Sequence, residues 1–247
     1  MPSGQLHLPK APIVEAVFDV RVEGADPFDA SRYEPIAKAE EDRYPDQGPQ
    51  FEVEVVAGFA PPGTGTVRQQ SRQIGLLLRS ADGRQLVQVS ERGLTLNRLA
   101  PYTSWEDLRP EVLRLWRLHQ NCFPAGRCTR VAIRTINRIE LDDVAGLGEV
   151  ITVPPTMPAE LGLRSESFLM RHEMLDEPSG LRVVVHQAST PPSPTGGRAI
   201  LLDIDVFREA PFLDAADAVS APFEAVHHLK NQVFERAIVP AWLKRYQ

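Results

Sequence analysis

From Ile13 to Val22 the chain alternates between apolar and polar character. Val14, Ala16, Phe18, Val20 and Val22 fall on one side, and Glu15, Val17, Asp19, Arg21 and Glu23 on the other. Period two predicts a strand with one face on a core and the other mostly toward water. Pro9 and Pro12 hold its entry extended. An Ala- and Glu-rich stretch from Arg32 to Arg43 predicts a helix that stops before Tyr44-Pro45, with Pro35 in its first turn. Phe51 to Val56, Gln73 to Arg79, Gln85 to Ser90 and Leu94 to Arg98 read as strands, with a loop from Ala60 to Gly65. Asp82-Gly83 lies between two of these runs and predicts a hairpin, so the last three form an antiparallel meander.

A helix follows to about Asn121. Trp105, Leu108, Val112, Trp116 and His119 recur at steps of three and four, which marks one helical face. Ser104 with Asp107 suggests a cap, and Asp107 itself would also serve, since Pro110 then falls nearer the first turn. In Arg130 to Leu141 the apolar phase breaks between Ile133, Ile136 and Ile139, which predicts a bulge near Thr135 to Asn137. Residues 144–164 are irregular and Pro-rich. Phe168 to Leu175 and Leu181 to Gln187 read as a hairpin, Thr190 to Gly197 as a loop, and Ala199 to Phe207 as the last strand. The final helix, Ala221 to Ala237, carries Phe223, Val226, Leu229, Val233 and Ala237 on one face and stops before Pro240. The fold class is α+β, with mostly antiparallel sheet and two principal helices. The chain reads as one globular unit, 1–247, or as two similar halves, 1–126 and 127–247, each ending in a helix.

Composition narrows the function classes. At 43% hydrophobic and 24% charged residues, the chain can bury a sizeable core. Its net charge is -6, from 27 basic and 33 acidic side chains. That excludes a generally basic nucleic-acid domain and a polybasic membrane-surface protein, leaving room only for a local patch. Cys122 and Cys128 form no Cys-x-x-Cys pair and read as reduced thiols. No apolar run reaches the roughly 18 residues of a membrane span, and Met1 to Lys10 has no apolar leader. The expected location is the cytoplasm, with no membrane partner.

The search for chemistry finds no catalytic signature, and no cofactor is expected. There is no Gly-x-Ser-x-Gly, Gly63-Thr-Gly65 lacks the lysine of a phosphate loop, and Gly196-Gly197 precedes a strand rather than a helix. His172, His186, Asp203 and Asp205 lie on neighbouring strands. Pairing Leu175 with Leu181 would set both histidines on one face, together with Phe168, Met170, Met174 and Val184. Without a His-x-x-x-His or carboxylate triad no metal site is expected there. His227 and His228 point about 100° apart on a helix and read as a surface pair with one edge against the sheet. The best surface is basic: Arg130, Arg134 and Arg138 share parity on one strand, with Asn137 among them, as a candidate site for anions or nucleic acid. The competing reading pairs these arginines with Glu140, Asp142 and other acids.

The opening Leu8-Pro-Lys-Ala-Pro-Ile-Val-Glu-Ala-Val-Phe-Asp-Val20 resembles the start of a sporadically distributed bacterial family of uncharacterised proteins of about this length. Tyr102-Thr-Ser-Trp105, Arg134-Thr-Ile-Asn-Arg-Ile139, Leu201-Leu-Asp-Ile-Asp205 and the His227-His228 to Phe234 helix are similar too. Thr135 departs from the aromatic expected at its position. The resemblance carries no activity and implies only an association with defence or mobile-element gene neighbourhoods. The leading expectation is a non-catalytic binding or regulatory protein with a protein partner. The alternatives are a nucleic-acid accessory factor using the arginine row, and a hydrolase or small-molecule enzyme around His172 and His186.

Overall fold

The structure is a computed structural model and describes residues 8–60, 64–124, 126–142, 146–156, 158–163, 165–191, 197–209 and 219–247. Its strands are β1 (Ile13–Glu23), β2 (Asp46–Ala60), β3 (Thr64–Arg79), β4 (Gln85–Ser90), β5 (Gly93–Leu99), β6 (Arg127–Leu141), β7 (Leu169–Asp176), β8 (Leu181–Ser189) and β9 (Arg198–Glu209). The helices are α1 (Ala30–Ala39), α2 (Trp105–Cys122), α3 (Leu147–Val150), α4 (Ser220–Ala237) and α5 (Pro240–Leu243). The nine strands form one antiparallel sheet in the order β2-β3-β4-β5-β1-β6-β9-β8-β7, so the fold is α+β and dominated by its sheet.

The two halves are laid out alike. Each begins with the strand that sits at the centre, β1 or β6, and each meander returns its last strand, β5 or β9, beside that first one. β1 and β6 pair with each other, and one apolar cluster runs through both halves, from Val87 and Leu96 to Val183 and Phe223.

The helices cover one face. α2 buries Trp105, Leu108, Val112, Leu115, Trp116 and His119, the stripe its spacing predicts. Its cap is Ser104, whose hydroxyl accepts the Asp107 N–H at 3.1 Å, and Pro110 lies inside the helix, where the bond to the Glu106 carbonyl is given up. α4 lies across β6 and β9. Trp105 joins the helices to the sheet: its ring stacks on Phe18 at 5.5 Å and on His227 at 5.0 Å, with Phe223 at 6.0 Å. His119 is buried between Trp116 and Phe123 and donates from Nε2 to the Ser90 carbonyl at 2.8 Å.

Two expectations need correction. β6 has no bulge at Thr135 to Asn137, because its pairing with β9 runs unbroken from Arg130 to Leu141. The extra residue is Val14 on β1: Ile13 pairs with Asn137, but Glu15 pairs with Ile136. That slip turns Ile13 into the core alongside Ala16, Phe18 and Val20. Second, β2 and β3 form a much longer hairpin than the short strands expected; the residues at its tip, 61–63, lie outside the described residues, as do 143–145, 157 and 164 of the Pro-rich stretch. That stretch is tied to the C-terminus by an Ile151–Ile238 bridge and by the Val239 N–H on the Val150 carbonyl, 2.9 Å. Cys122 and Cys128 remain thiols.

Candidate functional site

Arg130, Arg134 and Arg138 do share a face of β6, the one turned away from the helices. Each already holds carboxylates of the same sheet. Arg130 is 9% exposed; it donates to Asp19 on β1 at 2.5 Å and to Asp205 on β9 at 2.8 Å, and its guanidinium lies 4.4 Å over the Phe207 ring. Arg134 grips Asp203 with two parallel bonds of 2.8 and 2.5 Å, a fork geometry that fixes both groups. Arg138 donates to Glu140 at 2.6 Å. Asp142 pairs instead with Arg245 at 2.6 Å. Three guanidinium groups thus face four carboxylates, Asp19, Asp203, Asp205 and Glu140, and the row is not a positive surface. Burial raises the Asp205 carboxyl above its ordinary value, against the pull of Arg130 and Arg134. Asn137 does not belong with the arginines. Its parity turns it to the helix side, where it is 1% exposed and donates to the Leu202 carbonyl at 3.0 Å.

His172 and His186 are not brought together. The hairpin turn is one residue shorter than the pairing of Leu175 with Leu181 requires: Asp176 pairs with Leu181, His172 with Val185 and His186 with Arg171. A one-residue slip sends the two histidines to opposite faces. His186 instead lies 3.5 Å from Asp203, beside Arg134. Among the described residues no group of three His, Cys, Asp or Glu is placed to hold a metal ion. His227 and His228 split as their angle demands, but not as a surface pair: His228 is exposed, while His227 is 7% exposed under Trp105.

His227 belongs to a cavity of about 250 Å³ between the sheet and α4. Thr135 and Asn137 of β6 form its floor. The incoming segment from Leu8 to Ile13 is one wall, and Tyr102 to Glu106, the lead into α2, is another. α4 supplies His227, Lys230, Asn231, Phe234 and Glu235. The Asn231 amide lies 3.2 Å from His227 Nε2. Burial, and then the charge of Lys230, pushes His227 down to about 3, so its imidazole is neutral at physiological pH.

Lys230 is the unusual member. It is 5% exposed and has no hydrogen-bond or ion-pair partner among the described residues. Burial pushes its ammonium down to about 8, with the charge of Glu235 opposing. A buried cation is normally paired, because leaving water costs several kcal/mol that only a counter-charge offsets. Here the opposing charge is that of Glu235, which lines the same cavity, and no ion pair joins Lys230 to a carboxylate among the described residues.

The sequence reading missed Lys230 because it took α4 to bury Phe223, Val226, Leu229, Val233 and Ala237. The buried set is Pro222, Phe223, Val226, His227, Lys230 and Phe234, a stripe rotated toward the cavity, while Leu229, Val233 and Ala237 are only partly covered. The available signal was that Lys230 stands in phase with Phe223 and Phe234. The phase break in β6 was a second signal: two polar residues, Thr135 and Asn137, occupy core positions of a regular strand because they face this cavity.

No helix among the described residues is long and apolar enough to cross a membrane. No protein-family model matches the chain, and no curated protein matches it in sequence.

Proposed function

We propose that this chain is a small-molecule binding protein whose ligand seats a carboxylate or phosphate group on Lys230. The observation that carries the reading is the unpartnered, buried ammonium lining a cavity. An anion there would give Lys230 the direct ion pair it lacks, against the opposing charges of Glu106 and Glu235 on the cavity wall, and a bond from a charged donor in a desolvated site is among the stronger polar contacts. Asn137, Asn231, Thr135 and the neutral His227 add directional polar groups, and Trp105 and Phe234 add apolar wall. This mix of apolar lining and a few convergent polar groups is what ligand sites use. The volume lies below the roughly 300–1,000 Å³ of drug-sized ligands, so the ligand is small.

The proposal keeps the expected non-catalytic binding role, in the cytoplasm. It also includes kinship with the bacterial family named above: the opening segment, Tyr102 to Trp105, Thr135 with Asn137, and His227 to Phe234 all meet at this cavity. Nucleic-acid binding through Arg130, Arg134 and Arg138 is the weaker reading, since each arginine already holds a carboxylate whose charge would repel phosphate.

The test is a thermal-shift and calorimetric panel of acetate, pyruvate, succinate and inorganic phosphate against their neutral amide or ester counterparts. At least one anion is expected to raise the melting temperature of the parent chain and to leave Lys230→Met unmoved. Equal shifts in both chains, or none with any anion at about 10 mM, a concentration near 10 Kd for a millimolar ligand, would overturn the proposal.

A further inference from the structure

Among the described residues no strand pairs with the outer edge of β7, which is joined to β8 alone. Its Leu169, Met174 and Leu175 are 75%, 46% and 60% exposed. Its neighbour β8 is covered on the helix side, with Val183 and Val185 buried, but the layer ends before β7. An eight-residue edge strand of this apolarity offers unpaired backbone groups to another strand, and proteins usually blunt such edges.

The sequence of β7 says which strand it fits. Leu169-Met-Arg-His-Glu-Met-Leu175 reads the same in both directions about His172, except that Arg171 is mirrored by Glu173. In an antiparallel pair related by a twofold axis, each residue faces its own mirror position in the other copy. We propose that two copies of this chain associate edge to edge through β7, with the twofold axis at His172, making one continuous sheet.

In that register Leu169 lies opposite Leu175, Met170 opposite Met174, and Arg171 opposite Glu173 of the second copy. Arg171 and Glu173 already form an ion pair within one chain, on the face shared with His186 and Val184. The second copy extends this pair to four alternating charges. Sheet pleating fixes the choice further. Facing residues must share a face, so the axis can pass only through a residue position. Moving it one residue either way sets Arg171 against Arg171 or Glu173 against Glu173, and like charges directly opposite destabilise a pair. The charges therefore select the His172-centred register and disfavour its neighbours. Seven residues a side is fewer than the roughly 20–30 of a standard interface, so the dimer is weak and concentration-dependent.

Light scattering and sedimentation of the full chain between about 1 and 200 µM, a range that spans the affinity of small interfaces, should show a monomer–dimer equilibrium. Arg171→Glu should weaken the dimer by about tenfold or more, because it places four acids together, and the double exchange Arg171→Glu with Glu173→Arg should restore it. Mild oxidation supplies an independent reading of the register. His172→Cys should give a covalent dimer, since facing Cα atoms about 4.5–5.5 Å apart suit a disulfide. Met170→Cys should give none, because its counterpart lies four residues along, roughly 13 Å away. Arg171, His172 and Glu173 are exposed and Met170 is half-buried, so a thermal melt of each variant accompanies the assay to separate association from folding. A monomer at every concentration overturns the proposal. So does a dimer that Arg171→Glu leaves intact, or one that Met170→Cys crosslinks and His172→Cys does not.

Discussion

The sheet carries a buried cation on each of its faces. Away from the helices, Arg130 is 9% exposed, bonded to Asp19 and Asp205 and laid on Phe207. On the helix side, Lys230 is 5% exposed and forms no ion pair among the described residues, with Glu235 acting on it across the cavity. Withdrawal from water is about equal, so the difference lies in compensation. Arg130 stitches β1, β6 and β9 together, and its fork is saturated by residues of the chain itself. Lys230 has only the unbonded charge of Glu235 to offset its burial. A saturated buried charge is read as architecture, and an unsatisfied one beside a cavity as a binding site.

That contrast can be broken most forcefully at Arg130. Arg130→Ala should cost about 2–4 kcal/mol of unfolding free energy in denaturant titration, because the half-buried Asp205 loses its ion pair and Asp19 keeps only the exposed Arg21 and the Thr95 hydroxyl. Acid tests the cavity side next. His227 is held near 3 in the folded chain against an ordinary 6.5, so the unfolded chain binds its proton first. Stability is therefore lost as pH falls from about 6.5 toward 3. His227→Gln should remove about 2–3 kcal/mol of that loss, measured as the difference between the two chains at pH 7 and pH 4.

Lys230→Met should act with the opposite sign to Arg130→Ala. Without ligand it should stabilise the fold by about 1–3 kcal/mol, since the cost of burying an unpaired ammonium disappears. The lysine penalty is complete below its folded value of about 8 and fades as pH rises toward 10.5, so the gain of the variant should vanish over that window. Equal destabilisation by Lys230→Met and Arg130→Ala would erase the distinction drawn between the faces. The smallest effect belongs to Arg138→Ala, whose partner among the described residues, Glu140, is largely exposed; within about 0.5 kcal/mol of the parent is expected.

Much of the fold was legible because one face of the sheet is covered and the other is not. β4 matches its predicted bounds, and β1, β5, β8 and β9 match within two residues, since one-sided burial writes period two into the sequence. β2 and β3 were foreshortened because glutamines, glycines and a proline fill long parts of both and erase the alternation. The histidine pair failed on a single residue of turn length, which periodicity does not fix. The cavity was hidden for a different reason. Polar residues at core positions look like a change of phase, and a lysine on an amphipathic helix looks like a solvent-facing one. Only the joint placement of β6 and α4 shows that Thr135, Asn137 and Lys230 face one another's space.

The central position of β1 has a consequence for how the protein is made. β1 is synthesised first, yet one of its two strand neighbours, β6, begins at Arg127, and the aromatic stack on Phe18 closes only with His227. A nascent chain that has emerged as far as α2 can complete the local meander β2-β3-β4-β5. It must then hold β1 as an open edge, with Ala16, Phe18 and Val20 lacking much of their cover. Pairings so distant along the chain form slowly, and an unpaired apolar edge invites the wrong partner meanwhile. On the ribosome, then, the first half of this protein is an unfinished sheet waiting for its other side.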